Sequence, residues 1–88
     1  SDGEGHSFAA VCISAVHPFL FYSRHGSKMI HMLDLTGQRA VSKLDGKKPV
    51  SSLTCHSSKP ILASGHVDGS VRLWDYQLGT CRVSEEYN

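Results

Sequence analysis

The stretch Ile61-Leu62-Ala63-Ser64-Gly65-His66-Val67-Asp68-Gly69-Ser70-Val71-Arg72-Leu73-Trp74-Asp75 constrains this chain more than any other. It reads as two short apolar strands joined at Asp68-Gly69 and closed by Trp74-Asp75. Asp-Gly between alternating apolar runs is the strongest short-range hairpin signal. A type I′ turn needs positive φ at both central residues, and Asp and Gly tolerate it. Beyond the turn, Val71 and Leu73 alternate with Arg72 and Trp74, the period of two of a strand that shows side chains to both faces of a sheet. A sheet with one wet face has no use for Trp74 on its second face. Both faces of this sheet are therefore expected to be covered by neighbours.

A second copy lies upstream. His25 to Asp34 precedes His66 to Asp75 by 41 positions, setting His25 on His66, Ile30 on Val71, Met32 on Leu73, Leu33 on Trp74 and Asp34 on Asp75. Further upstream, Val11 to His17-Pro18 parallels Val50 to His56-Ser57 at a distance of 39, which implies two extra residues before the second hairpin. Loops absorb such insertions at little cost. A period of about 40–45 residues with four strands per unit and a terminal Trp-Asp resembles the WD40 repeat, and the resemblance covers nearly the whole chain. Leu62-Ala63-Ser64-Gly65 and Asp68 to Asp75 carry it in the second copy. The first copy is degenerate, with Leu33 where the family has Trp, Ser27 in place of the turn Asp, and Arg24-His25 in place of Gly or Ser. For the family's Gly-His pair the first copy offers Gly5-His6, one residue out of register, and the second has Asp45-Gly46 without a His. The resemblance implies a buried Asp-His-Ser-Trp hydrogen-bond network that is incomplete in both copies. It makes Ser64, Asp68, Gly69, Trp74 and Asp75 the structural signature.

The expected architecture is all-β: two four-stranded antiparallel blades of a WD40-type β-propeller, an incomplete ring. Residues 1–7 are read as a loop or linker, 8–44 as the first blade, and 45–88 as the second blade with a C-terminal tail. Strands are expected at Phe8 to Val16, Phe19 to Ser23, Met29 to Leu33, Arg39 to Leu44, Val50 to Cys55, Ile61 to Gly65, Ser70 to Trp74 and Thr80 to Ser84, and Glu85 to Asn88 as a tail or the start of a link to a further blade. Arg39 and Lys43 mark an outer strand whose charges guard an exposed edge. Two blades leave two apolar faces bare, so further blades from a longer parent chain, or copies of this one, are expected to cover them.

With 88 residues, 40% apolar and a formal net charge of +1, the composition is that of an ordinary globular chain, neither disordered nor membrane-bound. No apolar run approaches the ~18 residues of a membrane span, and nothing at Ser1 to His6 looks like a signal peptide. Cys12, Cys55 and Cys81 are an odd count without Cys-x-x-Cys spacing, which speaks against a disulfide framework or a zinc ribbon. Cys12 and Cys55 fall inside strands, where Cys acts as a small buried hydrophobe. A reducing, intracellular compartment, cytoplasm or nucleus, is expected. The six histidines show no ligand spacing, and His17/His56 and His25/His66 read as equivalent loop positions of the repeat. No Gly-x-Ser-x-Gly elbow, Gly-x-Gly-x-x-Gly or phosphate loop is present. The expectation is no enzyme, no cofactor and no metal.

Charge is unevenly placed. Between Arg24 and Lys59 stand seven basic residues against two acids. This either marks a basic patch for an acidic partner or consists of edge-guarding and solvated loop charges. By resemblance to propellers, the loop entering each first strand and the tight hairpin turns share one rim, where partners bind. That rim gathers Arg24, His25, Lys28, Lys47, Lys48, His66 and Val67. The resulting expectation is a non-catalytic protein–protein interaction scaffold, a subunit of a multiprotein complex. The alternative is recognition of a phosphoprotein or a nucleic-acid backbone through the basic rim.

Overall fold

A computed structural model describes residues 7–86. Its strands are β1 (Phe8–Ile13), β2 (Phe19–Arg24), β3 (Met29–Asp34), β4 (Arg39–Asp45), β5 (Val50–Cys55), β6 (Ile61–His66), β7 (Ser70–Asp75) and β8 (Thr80–Glu86). They form two four-stranded antiparallel meanders, β1-β2-β3-β4 and β5-β6-β7-β8, in which each strand bonds the next in sequence. Successive connections therefore alternate between two opposite rims. Among the described residues there is no helix, hence none long and apolar enough to cross a membrane.

Two strand ends differ from expectation. β1 stops at Ile13, before Val16, because Ser14 turns inward and its Oγ accepts the N–H groups of Val16 and His17 at 3.1 and 3.2 Å. At the other end Glu85 and Glu86 are not tail residues; they pair with Val71 and Ser70. Gly5-His6 and Tyr87-Asn88 lie outside the described residues.

The repeat is visible in the irregularities of the ladders. The β1/β2 register shifts between Phe8 and Ala10, and the β5/β6 register between Val50 and Ser52, so Ala9 and Ser51 are bulge residues 42 positions apart. Val41 and Arg82 are the extra residues in β4 and β8, 41 apart. The upstream offset is thus 42, not 39, and one residue is lost at the central hairpin. Four residues, His25 to Lys28, join β2 to β3, whereas three, Val67 to Gly69, join β6 to β7. The type I′ turn expected at Asp68-Gly69 is corrected for the same reason. Gly69 has φ 90 while Asp68 is not in the left-handed region, and the Gly69 N–H donates to the His66 carbonyl at 3.0 Å. A turn from His66 to Gly69 with the glycine left-handed is the three-residue design, a type I turn followed by a bulge.

The core lies between the sheets. The first contributes Phe21, Ile30, Met32 and Leu44, and the second Val50, Leu62, Trp74, with Tyr76 just beyond β7. Each such burial is worth about 1.5–3 kcal/mol. The sheets offer opposite faces to this joint. Phe21 and Ser23 are buried on β2, and Leu62, Ser64 and His66 on β6, residues that correspond by register to Leu20, Tyr22 and Arg24 on the far face of the first sheet. That far face carries Phe8, Val11 and Ile13, all about half exposed.

Candidate functional site

One rim is stitched together by backbone bonds. The Gly46 N–H donates to the Lys28 carbonyl at 2.8 Å, that of Val50 to Ser27 at 3.0 Å, and that of Val67 to Pro49 at 3.0 Å. These bonds set the β2–β3 turn, the β4–β5 connection and the β6–β7 turn side by side. His25, Lys28, Lys47, Lys48 and Val67 are exposed along them. Arg24 points elsewhere: its guanidinium sits over Phe8 and Tyr22, 5.7 and 5.5 Å from the ring centroids, on the far face of the first sheet.

Acidic groups are interleaved with these cations. The Asp45 carboxylate lies 3.9 Å from Lys28 Nζ and 3.7 Å from Lys47 Nζ, and accepts the Lys47 N–H at 2.9 Å. That backbone bond, then the two cations, holds Asp45 below the usual carboxylate range. Asp68 is lowered too, first by the Ser70 hydroxyl at 2.6 Å, then by the Ser70 N–H and the Lys48 charge. The rim is therefore mixed in sign at neutral pH. Lys47 is held in the left-handed region at φ 71, a conformation that costs about 1–3 kcal/mol and persists where the surroundings impose it.

His66, expected at this rim, is 5% exposed and turned inward. Its Nδ1 lies 2.8 Å from the Lys48 carbonyl and its Nε2 2.9 Å from Ser64 Oγ, which also receives the Trp74 indole N–H at 3.0 Å. A carbonyl only accepts, so Nδ1 carries the proton; in the neutral ring Nε2 then accepts from the Ser64 hydroxyl. The buried chain runs Trp74 to Ser64 to His66 to the Lys48 carbonyl. A side chain at Gly46 would close this space, since its Cβ would come within 2.5 Å of His66 Cε1. The expected network is thus more complete in the second blade than the sequence implied, with the histidine supplied from the end of β6. The register also pairs His66 with Arg24 rather than His25, and His56 with Ser14 rather than His17. His56 Nδ1 accepts the N–H groups of Ser58 and Lys59 at 3.0 and 3.1 Å, the capping task that Ser14 performs in the first blade.

The opposite rim holds a group that sequence reasoning missed. Tyr76 Oη lies 2.7 Å from Ser14 Oγ and 2.9 Å from His17 Nδ1, and its ring packs on Phe19 and Phe21. Beside it a groove of about 490 Å³ opens between the blades, lined by His17, Phe19, Val41, Tyr76 and Leu78. Ser14 is buried and already accepts two backbone bonds, so it has no geometry of a nucleophile facing a base. Among the described residues no group of three or more His, Cys, Asp or Glu could hold a metal ion.

Two antiparallel meanders related by a repeat of 41 to 42 residues and packed face to face define a repeat protein of the propeller-blade class. Residues 38–75 match the WD40 family model, "WD domain, G-beta repeat". The chain is 40% identical over 60 residues to "TSET complex member tstE" of Dictyostelium discoideum, a match covering 66% of this chain and 4% of that protein. In fold it resembles a chain of "Crystal Structure of Mitotic Checkpoint Complex" with a TM-score of 0.80 at 22% identity, covering 92% of this chain and 27% of that one. Residues 38–75 carry a WD40 repeat, and the two sheets have the fold of WD40-type blades. The matched segment begins at Gln38, just before β4, and ends at Asp75 in β7, so one sequence repeat spans the joint between the blades.

Proposed function

We propose that this chain acts as a non-catalytic protein-interaction scaffold within a larger WD40 propeller protein, a subunit of a multiprotein complex, using the stitched rim as its contact surface. The observation that carries the reading is the backbone cross-bonding of the three turns, which presents His25, Lys28, Lys47, Lys48 and Val67 from a framework that need not order on binding. Preorganisation of this kind lowers the entropic cost of association. The tstE relative, a TSET complex member, supports the same reading.

The second reading, recognition of a phosphoprotein or nucleic-acid backbone, rests on the lysines of this rim. Asp45 between Lys28 and Lys47, and Asp68 near Lys48, favour a protein partner of mixed charge instead. Reversing Lys47 and Lys48 to Glu tests both readings. Folding is expected to change within about ±0.5 kcal/mol while partners recovered by the parent protein are lost. Retention of every partner removes the rim from the binding surface. A steep fall of binding with salt supports the phosphate reading, and a shallow one the scaffold.

A further inference from the structure

At the joint, β1 and β5 lie side by side, and there the Cys12 and Cys55 sulfurs approach to 3.0 Å, each half-buried. They belong to different blades and are 43 positions apart. A disulfide bond is about 2.0 Å long, so a small local shift suffices to join them. Neither cysteine is fully buried, so a small oxidant can approach the pair.

We propose that Cys12 and Cys55 form a redox pair, which a hydroperoxide converts into a disulfide linking the inner strands of the two blades. The Cys55 thiolate attacks the O–O bond; its sulfur takes one oxygen as sulfenic acid and the other leaves as hydroxide or alkoxide. Cys12 then attacks the Cys55 sulfur, the S–S bond forms, and the sulfenic oxygen departs with the Cys12 proton as water. Two electrons pass from the two sulfurs to the peroxide. The proton disposition in the reduced pair suits these roles: the bond donated by Cys12 lowers Cys55, while that bond and burial raise Cys12 and keep it a thiol. Cys81 has no part in this. It sits exposed on β8, where Arg72 donates to its sulfur at 3.6 Å.

The test uses Cys81→Ser protein, purified reduced and treated with stoichiometric hydrogen peroxide. Expected are loss of both remaining thiols, a monomer lighter by two hydrogens, a cross-linked peptide holding Cys12 and Cys55, and a melting temperature higher by about 5–15 °C that dithiothreitol reverses. In the same background Cys12→Ser is expected to accumulate sulfenic acid at Cys55, trapped by dimedone, with the reduced fold intact by circular dichroism. Folded protein that keeps both thiols, goes to sulfinic acid without linking, or links only after denaturation overturns the proposal.

Discussion

In the second blade Leu62, Ser64, His66 and Trp74 occupy the positions that Leu20, Tyr22, Arg24 and Leu33 hold in the first. The second set is buried at the joint, and its Trp74, Ser64 and His66 are bonded into a chain ending on the Lys48 carbonyl. The first set lies on the far face. There the Tyr22 ring stacks on His31 at 4.8 Å, meets Phe8 edge-on at 5.1 Å and takes the Arg24 guanidinium over it. Phe8 is 48% exposed where its counterpart Val50 is 2% exposed. Yet the caps agree. Ser27 accepts the Met29 N–H as Asp68 accepts that of Ser70, and Asp34 closes its turn as Asp75 does. Caps and bulges specify the blade backbone, whereas the chemistry of a face follows from what covers it.

The largest expected effect tests the buried chain. Trp74→Leu, which gives the second blade the residue of the first, should cost about 3 kcal/mol, from lost volume and the loss of the indole donor to Ser64 Oγ. Leu33→Ala on the half-buried face should cost about 1 kcal/mol once partial exposure is allowed for. Denaturant unfolding measures both; equal costs would erase the distinction between the blades. Next, Ser64→Ala leaves the Trp74 N–H and His66 Nε2 without their shared partner and should cost about 2 kcal/mol. Tyr22→Phe at the matching position should stay within about 0.5 kcal/mol. A third pair concerns left-handed residues. Gly69→Val forces a branched side chain to φ 90 and should cost about 1–3 kcal/mol. Gln38, at φ 54, stands where the second blade has Gly79 at φ 73, and Gln38→Gly should gain about 0.5 kcal/mol.

The smallest effect is on pH. His31 is lowered by burial first and then by Arg24 and Lys43, so its contribution is full above the unfolded value of about 6.5 and is lost as pH falls below it. The lowered Asp45 and Asp68 contribute fully above about pH 4 and lose this only in stronger acid. Melting temperature against pH should therefore decline in two stages, and His31→Gln should remove the first. A single decline below pH 4 in the parent protein would show that His31 is not coupled to folding.

Strand positions were legible within a residue or two for most elements, because alternation and turn residues are local signals. The phase of the repeat was not, since matching histidine to histidine overrode the caps. Aligning Ser14 with His56 gives the 42-residue offset at once, but a serine and a histidine share that role only through a lone pair, which no residue alphabet displays. The Tyr76 group and the cysteine pair join residues 62 and 43 positions apart, beyond the reach of any local period. His66 was misplaced for a steric reason: the missing side chain at Gly46 makes the room its ring fills.

The joint is fastened in three places: at the inner strands by Cys12 and Cys55, at one rim by Tyr76 between Ser14 and His17, and at the other by Ser27 against Val50. Fasteners at both ends of an edge and along it leave two plates no freedom to fold or fan relative to each other. The wedge angle between these sheets is therefore a property of a few side chains and one turn. In a closed ring that angle, repeated, sets the curvature. Lengthening the β4–β5 connection or shrinking Tyr76 would change the circle the chain can belong to, while leaving each sheet intact.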